Sequence, residues 1–100
     1  MKYRKKPVVI EAFQMTEERG SDNRDWPEWL NRAWNAEDGV AGSLYLEPGT
    51  GLEPATRRFL IGTLEGPLKV TWSDWIIRGV QGELYPCKPE IFEATYEAVE

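Results

Sequence analysis

Turn-forming residues interrupt the second half of the chain at short intervals. Residues 65–67 are Glu-Gly-Pro, residues 73–74 are Ser-Asp and residues 81–82 are Gln-Gly, and all three are typical turn sequences. The apolar runs between them predict four strands, over residues 57–64, 68–72, 75–80 and 83–85. Because such short connections join only antiparallel neighbours, we predict an antiparallel meander over residues 57–85.

A run of tryptophans with helical spacing precedes these strands. Five apolar residues recur at positions that share one face of a helix, namely Trp26, Trp29, Leu30, Ala33 and Trp34. Asp25 and Pro27 are typical of the start of a helix, and Gly39 is typical of its end. We therefore predict an amphipathic helix over residues 26–37 whose tryptophan-rich face packs on an apolar surface.

The remaining segments predict shorter elements. Residues 7–15 are rich in β-branched and aromatic residues and predict a strand. Residues 43–46 predict a shorter strand, and the Gly- and Pro-rich residues 47–54 predict a loop that is either an exposed connector or a contact surface. Residues 89–100 fit either a short helix or an extended strand, and we favour a helical turn followed by extended chain.

Together these elements predict one domain of the α+β class over residues 1–100, since this length is ordinary for a single domain. We expect a small antiparallel β-meander or sheet packed against one amphipathic, Trp-rich helix. The chain contains five Trp, four Tyr and three Phe. Aromatic residues compensate for small size because each buries a large area, although exposed tryptophans would instead mark a contact surface.

The chain is acidic, with a net charge of −5 and a pI of about 4.8. Binding to duplex nucleic acid requires a positive surface, so we expect no such partner. The basic cluster of Lys2, Arg4, Lys5 and Lys6 is typical of a solvated tail, with a phosphate or nucleic-acid contact as the alternative. No apolar stretch approaches the roughly 20 residues of a membrane span, and residues 8–10 are too short for the apolar core of a signal peptide. With a single cysteine, a cytosolic location is expected.

The residue types offer little for catalysis. The chain contains no histidine, which excludes the histidine-based triads and zinc-protease motifs. Cys87 has Lys88 beside it but no visible base partner, so we expect a half-buried, unreactive thiol. Glu11 and Asp74 could act as an acid–base pair, but Glu11 equally suits a cross-strand ion pair and Asp74 suits a turn in which it accepts backbone hydrogen bonds. We therefore expect no enzymatic activity, no cofactor and no metal site.

Aromatic and arginine side chains around residues 73–74 are the candidate ligand-binding set. Its members are Trp72, Asp74, Trp75, Arg78, Arg57 and Arg58. Trp72 and Trp75 flank the two-residue turn and are positioned to pair across it, and aromatic faces stack on nucleobases. Arginine forks suit phosphate groups, and the alternative is that the arginines pair with Glu11 or other glutamates on neighbouring strands.

Both ends of the chain carry longer sequence patterns. Residues 2–12 are Lys-Tyr-Arg-Lys-Lys-Pro-Val-Val-Ile-Glu-Ala, residues 73–80 are Ser-Asp-Trp-Ile-Ile-Arg-Gly-Val, and residues 85–93 are Tyr-Pro-Cys-Lys-Pro-Glu-Ile-Phe-Glu. Together they resemble a family of small proteins encoded by tailed phages and prophages, over both ends of the chain. That family usually has Gly-Asp at the turn. Ser73 therefore predicts a different type of turn here, because serine tolerates positive φ less readily.

The resemblance implies a phage accessory protein made in the cytoplasm of a bacterial host, with no assigned activity to carry over. We expect a protein that acts by binding, and the hypothesis is counter-defence by sequestration of a small, nucleotide-like host ligand. Such a protein is expected to form a homo-oligomer with sites at subunit contacts. The alternatives are a protein-binding inhibitor of a host factor, whose acidic surface suits a basic target, and a small enzyme that uses a carboxylate pair.

Overall fold

The computed structural model describes residues 1–4 and 7–99. Within them the elements follow one another as β1 (Glu11–Gln14), α1 (Glu28–Asn35), β2 (Leu44–Leu46), a 3₁₀ helix (Pro54–Thr56), β3 (Phe59–Ile61), β4 (Leu68–Val70), β5 (Trp75–Arg78), β6 (Leu84–Cys87) and α2 (Pro89–Thr95). None of the described helices is long and apolar enough to cross a membrane. Of the basic cluster, Lys2 and Arg4 are exposed, and Lys5 and Lys6 lie outside the described residues.

The strands form two three-stranded antiparallel sheets, in the orders β1-β5-β6 and β2-β3-β4. The predicted α+β class, with antiparallel strands and a Trp-rich helix, is confirmed. The prediction of one continuous meander over residues 57–85 is wrong at the connection between β4 and β5. These strands are neighbours in sequence, but β4 pairs with β3 and β5 pairs with β1 and β6.

The turn at residues 73–74 is a corner between the two sheets. The Ser73 amide donates to the Met15 carbonyl at 2.7 Å, and the Met15 amide donates to the Asp74 carbonyl at 2.8 Å. The turn is therefore hydrogen-bonded to the residue that follows β1. It does not join β4 and β5 as a hairpin. The Asp74 amide donates to the Thr71 carbonyl at 3.0 Å, and Ser73 has a φ of 78°. Ser73 therefore adopts the left-handed backbone that serine was expected to avoid.

Helix α1 is shorter at both ends than the predicted 26–37. Pro27 has extended backbone before the helix and Ala36 has extended backbone after it. Trp26 lies outside the helix but still in the core, with 8% of its surface exposed. Its indole N–H donates to the Arg19 carbonyl at 2.7 Å, and this bond ties the loop before α1 to the core.

The apolar core lies where α1 packs on the sheets. Its largest fully buried apolar side chains are Phe59, Met15, Leu30, Leu44, Ile61, Ile76 and Ile77. The Phe59 ring meets the rings of Trp26, Trp34 and Trp72 edge-on, at centroid distances of 5.9, 5.8 and 6.0 Å. Aromatic quadrupoles favour this arrangement. The helix-associated tryptophans thus contribute to the core, as their spacing predicted.

Residues 8–10 and 96–99 lie beside the sheet β1-β5-β6. Strand β1 begins only at Glu11, so the predicted strand over residues 7–15 is shortened, and Val8 and Val9 before it are exposed. Helix α2 confirms the helical interpretation of the C-terminal segment, and the strand alternative is wrong. Residues 96–99 follow α2 without regular structure.

Candidate functional site

The two tryptophans of the candidate set lie on different surfaces. The Trp72 ring meets Phe59 edge-on at 6.0 Å. The Trp75 ring stacks on Phe92 of α2, with centroids 4.1 Å apart and an interplanar angle of 6°. The expected pairing of Trp72 with Trp75 is wrong, because the chain passes from one sheet to the other between them.

Arg57 bonds to the loop on which the Trp72 ring packs. Its Nη1 donates to the carbonyl oxygens of Gly20 and Ser21, at 2.7 and 2.8 Å. The Trp72 ring packs on the same loop, since a Cβ added at Gly20 would lie 2.6 Å from two of its ring carbons. Nη1 of Arg57 is therefore already hydrogen-bonded to backbone carbonyls. The guanidinium mainly adds positive charge to the adjacent surface.

Trp72 forms one wall of a cleft of about 510 Å³. The cleft, called here the basic cleft, is lined by Ala55, Thr56, Arg57, Arg58, Lys69, Val70, Thr71 and Trp72. Three of these residues are cationic, and no carboxylate of the described chain is among them. Because the whole chain carries a net charge of −5, the basic cleft is a local reversal of charge, which attracts anions.

Arg58 and Lys69 are the accessible cations of the basic cleft, and both are exposed. Arg58 Nη1 lies 3.6 Å from Glu47 Oε2, with 70% of the arginine side chain exposed. The Glu47 side chain is 29% exposed, and a long ion pair with a mostly exposed arginine contributes little to stability. Lys69 lies in the edge strand β4, opposite Leu60 of β3.

A second cavity lies on the other side of Trp72 and has the opposite charge. It encloses about 640 Å³, is more open than the basic cleft, and has Glu17 and Glu18 in its lining. Carboxylates repel an anionic ligand. Of the two cavities beside Trp72, the one lined by Arg58 and Lys69 is therefore the better site for an anion.

Asp74 is a buried structural carboxylate, with 3% of its side chain exposed. It accepts a hydrogen bond from the Thr71 amide at 2.9 Å, which confirms its predicted role in the turn. Lys88 Nζ donates to both of its oxygens, at 3.1 and 3.2 Å, and to the Thr71 hydroxyl at 2.8 Å. These bonds hold the corner against the residue that follows β6, and they engage both carboxylate oxygens of Asp74 within the protein.

Arg78 belongs to a third place on the molecule. It lies opposite Glu11 in the register of β5 and β1, and its Nη1 donates to Glu11 Oε1 at 3.0 Å. The cross-strand ion pair that was the alternative for Arg78 is confirmed. Glu11 and Asp74, considered as an acid–base pair, each bind a cation of their own, Arg78 and Lys88.

The Cys87 thiol is half-buried, as the sequence predicted. Burial raises its pKa, and the negative charges of Asp74 and Glu90 raise it further. A raised pKa keeps the Cys87 thiol protonated at neutral pH. The nucleophilic form of cysteine is the deprotonated thiolate.

The sequence indicated neither the place of Lys69 in the basic cleft nor the bonds of Lys88 to Asp74 and Thr71. A single lysine within a predicted strand or next to a proline has no distinctive pattern, and its neighbours depend on pairing between strands. The turn at residues 65–67 predicted that β3 and β4 form a hairpin. It did not specify the register in which Ile61 lies opposite Leu68, and that register places Lys69 near Arg58.

Comparison with known proteins adds no family to this description. No protein-family model matches the chain, and no curated protein or solved structure matches it significantly. The basic cleft is therefore identified as the candidate site by the geometry and charge of its own residues.

Proposed function

We propose that this chain is a non-enzymatic binding protein that takes up a small anionic ligand with a planar ring, of the nucleotide class, in the basic cleft. One observation supports the proposal above the others. In an acidic chain, Arg57, Arg58, Lys69 and Trp72 line one cleft of about 510 Å³. That volume is within the range of small-molecule sites, about 300–1,000 Å³.

The proposed contacts follow from the chemistry of the lining. The Arg58 guanidinium forms paired hydrogen bonds with phosphate oxygens, and the Lys69 ammonium adds a point charge. The indole of Trp72 offers the aromatic surface on which a nucleobase stacks. Arg57 strengthens the positive potential while its Nη1 stays bonded to Gly20 and Ser21.

The proposed biological setting rests on the resemblance to small tailed-phage proteins. In that setting the chain acts in the cytoplasm of a bacterial host as a counter-defence protein that sequesters a host nucleotide signal. Binding without turnover is sufficient for this role, because removal of a signal from solution requires only affinity and abundance.

Calorimetric titration with ADP, AMP, adenosine and inorganic phosphate tests the proposal. We expect ADP and AMP to bind more tightly than adenosine or phosphate, because only the nucleotides use both the cations and the indole. The variants Arg58→Glu and Lys69→Glu are each expected to weaken ADP binding about tenfold or more, since hydrogen bonds to charged groups contribute about 1.5–3 kcal/mol. Trp72→Ala is expected to weaken it by a similar factor through lost stacking.

Arg24→Glu is the matched control for Arg58→Glu. Arg24 is also an exposed arginine with a distant carboxylate partner, Asp22 at 3.5 Å, but it does not line the basic cleft. Its reversal changes the net charge equally and is expected to leave ADP binding nearly unchanged. The proposed site would be overturned if no probe bound at millimolar concentration. It would also be overturned if Arg24→Glu and Arg58→Glu weakened ADP binding equally. Hydrolysis of a bound nucleotide would contradict a non-enzymatic role.

A further inference from the structure

Two threonines line the basic cleft, and their hydroxyl groups are engaged differently. The Thr56 hydroxyl donates to the Glu53 carbonyl at 2.9 Å. The Thr71 hydroxyl oxygen instead accepts a hydrogen bond from Lys88 Nζ at 2.8 Å, and no described residue accepts its hydrogen. A hydroxyl group has one donor hydrogen. Thr71 therefore offers a hydrogen-bond donor to a ligand in the cleft, whereas Thr56 does not.

Hydrogen bonds to the corner between the sheets hold the Thr71 hydroxyl in place. Lys88 Nζ also donates to both carboxylate oxygens of Asp74, at 3.1 and 3.2 Å. The Thr71 amide donates to Asp74 Oδ2 at 2.9 Å. Because the backbone and the side chain of Thr71 are both bonded to this buried carboxylate and its lysine, the hydroxyl hydrogen points away from Lys88. A donor that is oriented in advance loses little conformational freedom when a ligand binds.

Thr71 lies next to the two accessible cations of the basic cleft. Phe59 lies opposite Val70 in the register of β3 and β4, and Arg58 and Thr71 are the next residues beyond this pair. Lys69 and Thr71 are on either side of Val70, so their side chains leave the strand on the same side. All three polar side chains are exposed and line the one cavity. They present a guanidinium, an ammonium and a hydroxyl group to a ligand.

The charges and donors of this lining fit a terminal phosphate group. A phosphomonoester carries about two negative charges at neutral pH and has three terminal oxygens. A phosphodiester carries a single charge and has one terminal oxygen fewer. The lining has three cations, and no carboxylate of the described chain is among its residues. A dianion therefore gains more electrostatic energy from this lining than a monoanion does.

We propose that the basic cleft selects nucleotides that end in a phosphomonoester over nucleotides whose phosphate is a diester. This inference rests on the nucleotide-binding function proposed for the same cleft. Arg58 and Lys69 balance the two charges of the terminal phosphate, and the Thr71 hydroxyl donates to one of its oxygens. The base stacks on Trp72 in both classes of nucleotide, so the selection depends on the phosphate alone.

A comparison of AMP with cyclic AMP tests the selection, because the two ligands share the base and the ribose and differ in the phosphate ester. In calorimetric titrations we expect the wild-type chain to bind AMP about tenfold or more tightly than cyclic AMP. Thr71→Val removes the hydroxyl with little change of shape. It is expected to weaken AMP binding about tenfold, since a hydrogen bond to a charged group is lost, and to affect cyclic AMP much less.

Two further variants control for the loss of a threonine. Thr71→Ser retains the hydroxyl and is expected to retain the affinity for AMP. Thr95→Val removes a hydroxyl from an exposed position on α2, outside the basic cleft, and is expected to leave the affinity unchanged. Urea unfolding measures whether each variant is folded. If Thr71→Val does not fold, the comparison of the two ligands with the wild-type chain decides.

The protonation of AMP provides a second readout. A phosphomonoester has a second pKa of about 6, so between about pH 7.5 and about pH 5 AMP takes up a proton and its affinity is expected to fall by up to about tenfold. Cyclic AMP keeps one charge throughout, and its affinity is expected to stay constant. The chain contains no histidine, the side chain whose ordinary pKa lies in this range. The charged groups around the phosphate are the cations Arg57, Arg58 and Lys69, with Glu47 beside Arg58 and the pair of Asp74 and Lys88 beside Thr71.

The outcomes separate this selection from the nucleotide function on which it rests. Equal affinities of the wild-type chain for AMP and cyclic AMP would overturn the selection and leave nucleotide binding intact. AMP binding that does not change with pH, or that is the same in a folded Thr71→Val variant, would overturn it as well. A wild-type chain that binds neither ligand would overturn both the selection and the nucleotide function.

Discussion

Ser73 places a side chain on a backbone that glycine adopts without strain. Its φ of 78° lies in the left-handed region, where an L-residue other than glycine costs about 1–2 kcal/mol. The conformation persists because the Ser73 amide bonds to the Met15 carbonyl and the Gln14 side-chain amide donates to the Ser73 carbonyl at 3.0 Å. The corner between the sheets is thus fixed by contacts with the end of β1.

Ser73→Gly is therefore expected to stabilise the chain by about 1 kcal/mol, because it removes the Cβ from the left-handed backbone. The free energy of unfolding in urea measures the change. Ser73→Ala is the matched control, since it retains the Cβ and is expected to give no such gain. Equal effects of the two substitutions would contradict the account of the corner.

The role of a residue in the candidate set was predictable when its bonding partner was close in sequence or lay directly opposite on a neighbouring strand. The turn role of Asp74 depends on the Thr71 amide three residues away, and the pairing of Arg78 with Glu11 depends on charges on adjacent strands. The role of Arg57 was not predictable, because its partners are carbonyl oxygens of a loop 36 and 37 residues away in sequence. No pattern of side chains in the sequence indicates such a contact.

Among the contacts between elements, the ion pair of Asp74 and Lys88 connects the corner to the end of β6. Lys88→Met is expected to destabilise the chain by about 2 kcal/mol, because it leaves the buried Asp74 carboxylate without its cation. Urea unfolding measures the loss, and Lys69→Met, which removes a lysine from an exposed position, is the control with little expected change. The double variant Lys88→Met, Asp74→Asn is expected to recover part of the stability, since it removes the orphaned charge. No recovery would contradict this explanation.

Strand β6 also carries an ionisable group that makes stability depend on pH. Burial, together with the neighbouring Tyr96 hydroxyl and the charge of Glu83, raises the pKa of Tyr85 to about 12. The ordinary value in the unfolded chain is 10.0, so the folded state favours the protonated phenol. The resulting stabilisation is fully present below pH 10 and is lost as the pH rises towards 12.

Thermal unfolding between pH 8 and pH 12 tests this expectation. The wild-type melting temperature is expected to fall over the upper part of that range, and Tyr85→Phe is expected to show a smaller fall because it lacks the phenol. The same dependence in both proteins would assign the effect to other groups.

At the scale of elements, the sequence predicted the strands, the tryptophan helix and the helical start of the C-terminal segment. The period of apolar residues and the turn residues indicate these elements locally. The division into two sheets was not predictable, because a two-residue connection such as residues 73–74 suits a hairpin as well as a corner. The hydrogen bonds between this turn and Met15, which make it a corner and not a hairpin, join segments far apart in sequence.

Two cavities of different chemistry lie at the two sheets of the molecule. The basic cleft lies at the sheet β2-β3-β4, where β3 and β4 and the residues beside them supply its lining. A mostly apolar cavity of about 300 Å³ lies at the sheet β1-β5-β6, between the residues before β1 and the helix α2. We propose that the basic cleft binds a ligand.

The central claim is that a nucleotide binds in the basic cleft, and an NMR titration of the ¹⁵N-labelled chain with ADP tests it most directly. We expect saturable shift changes concentrated at residues 56–58 and 69–72, with the Trp72 indole N–H among them. Lys69→Glu is expected to reduce these changes strongly at the same ADP concentration. Shift changes centred on residues 8–12 and 92–99, or none at either surface, would contradict the account.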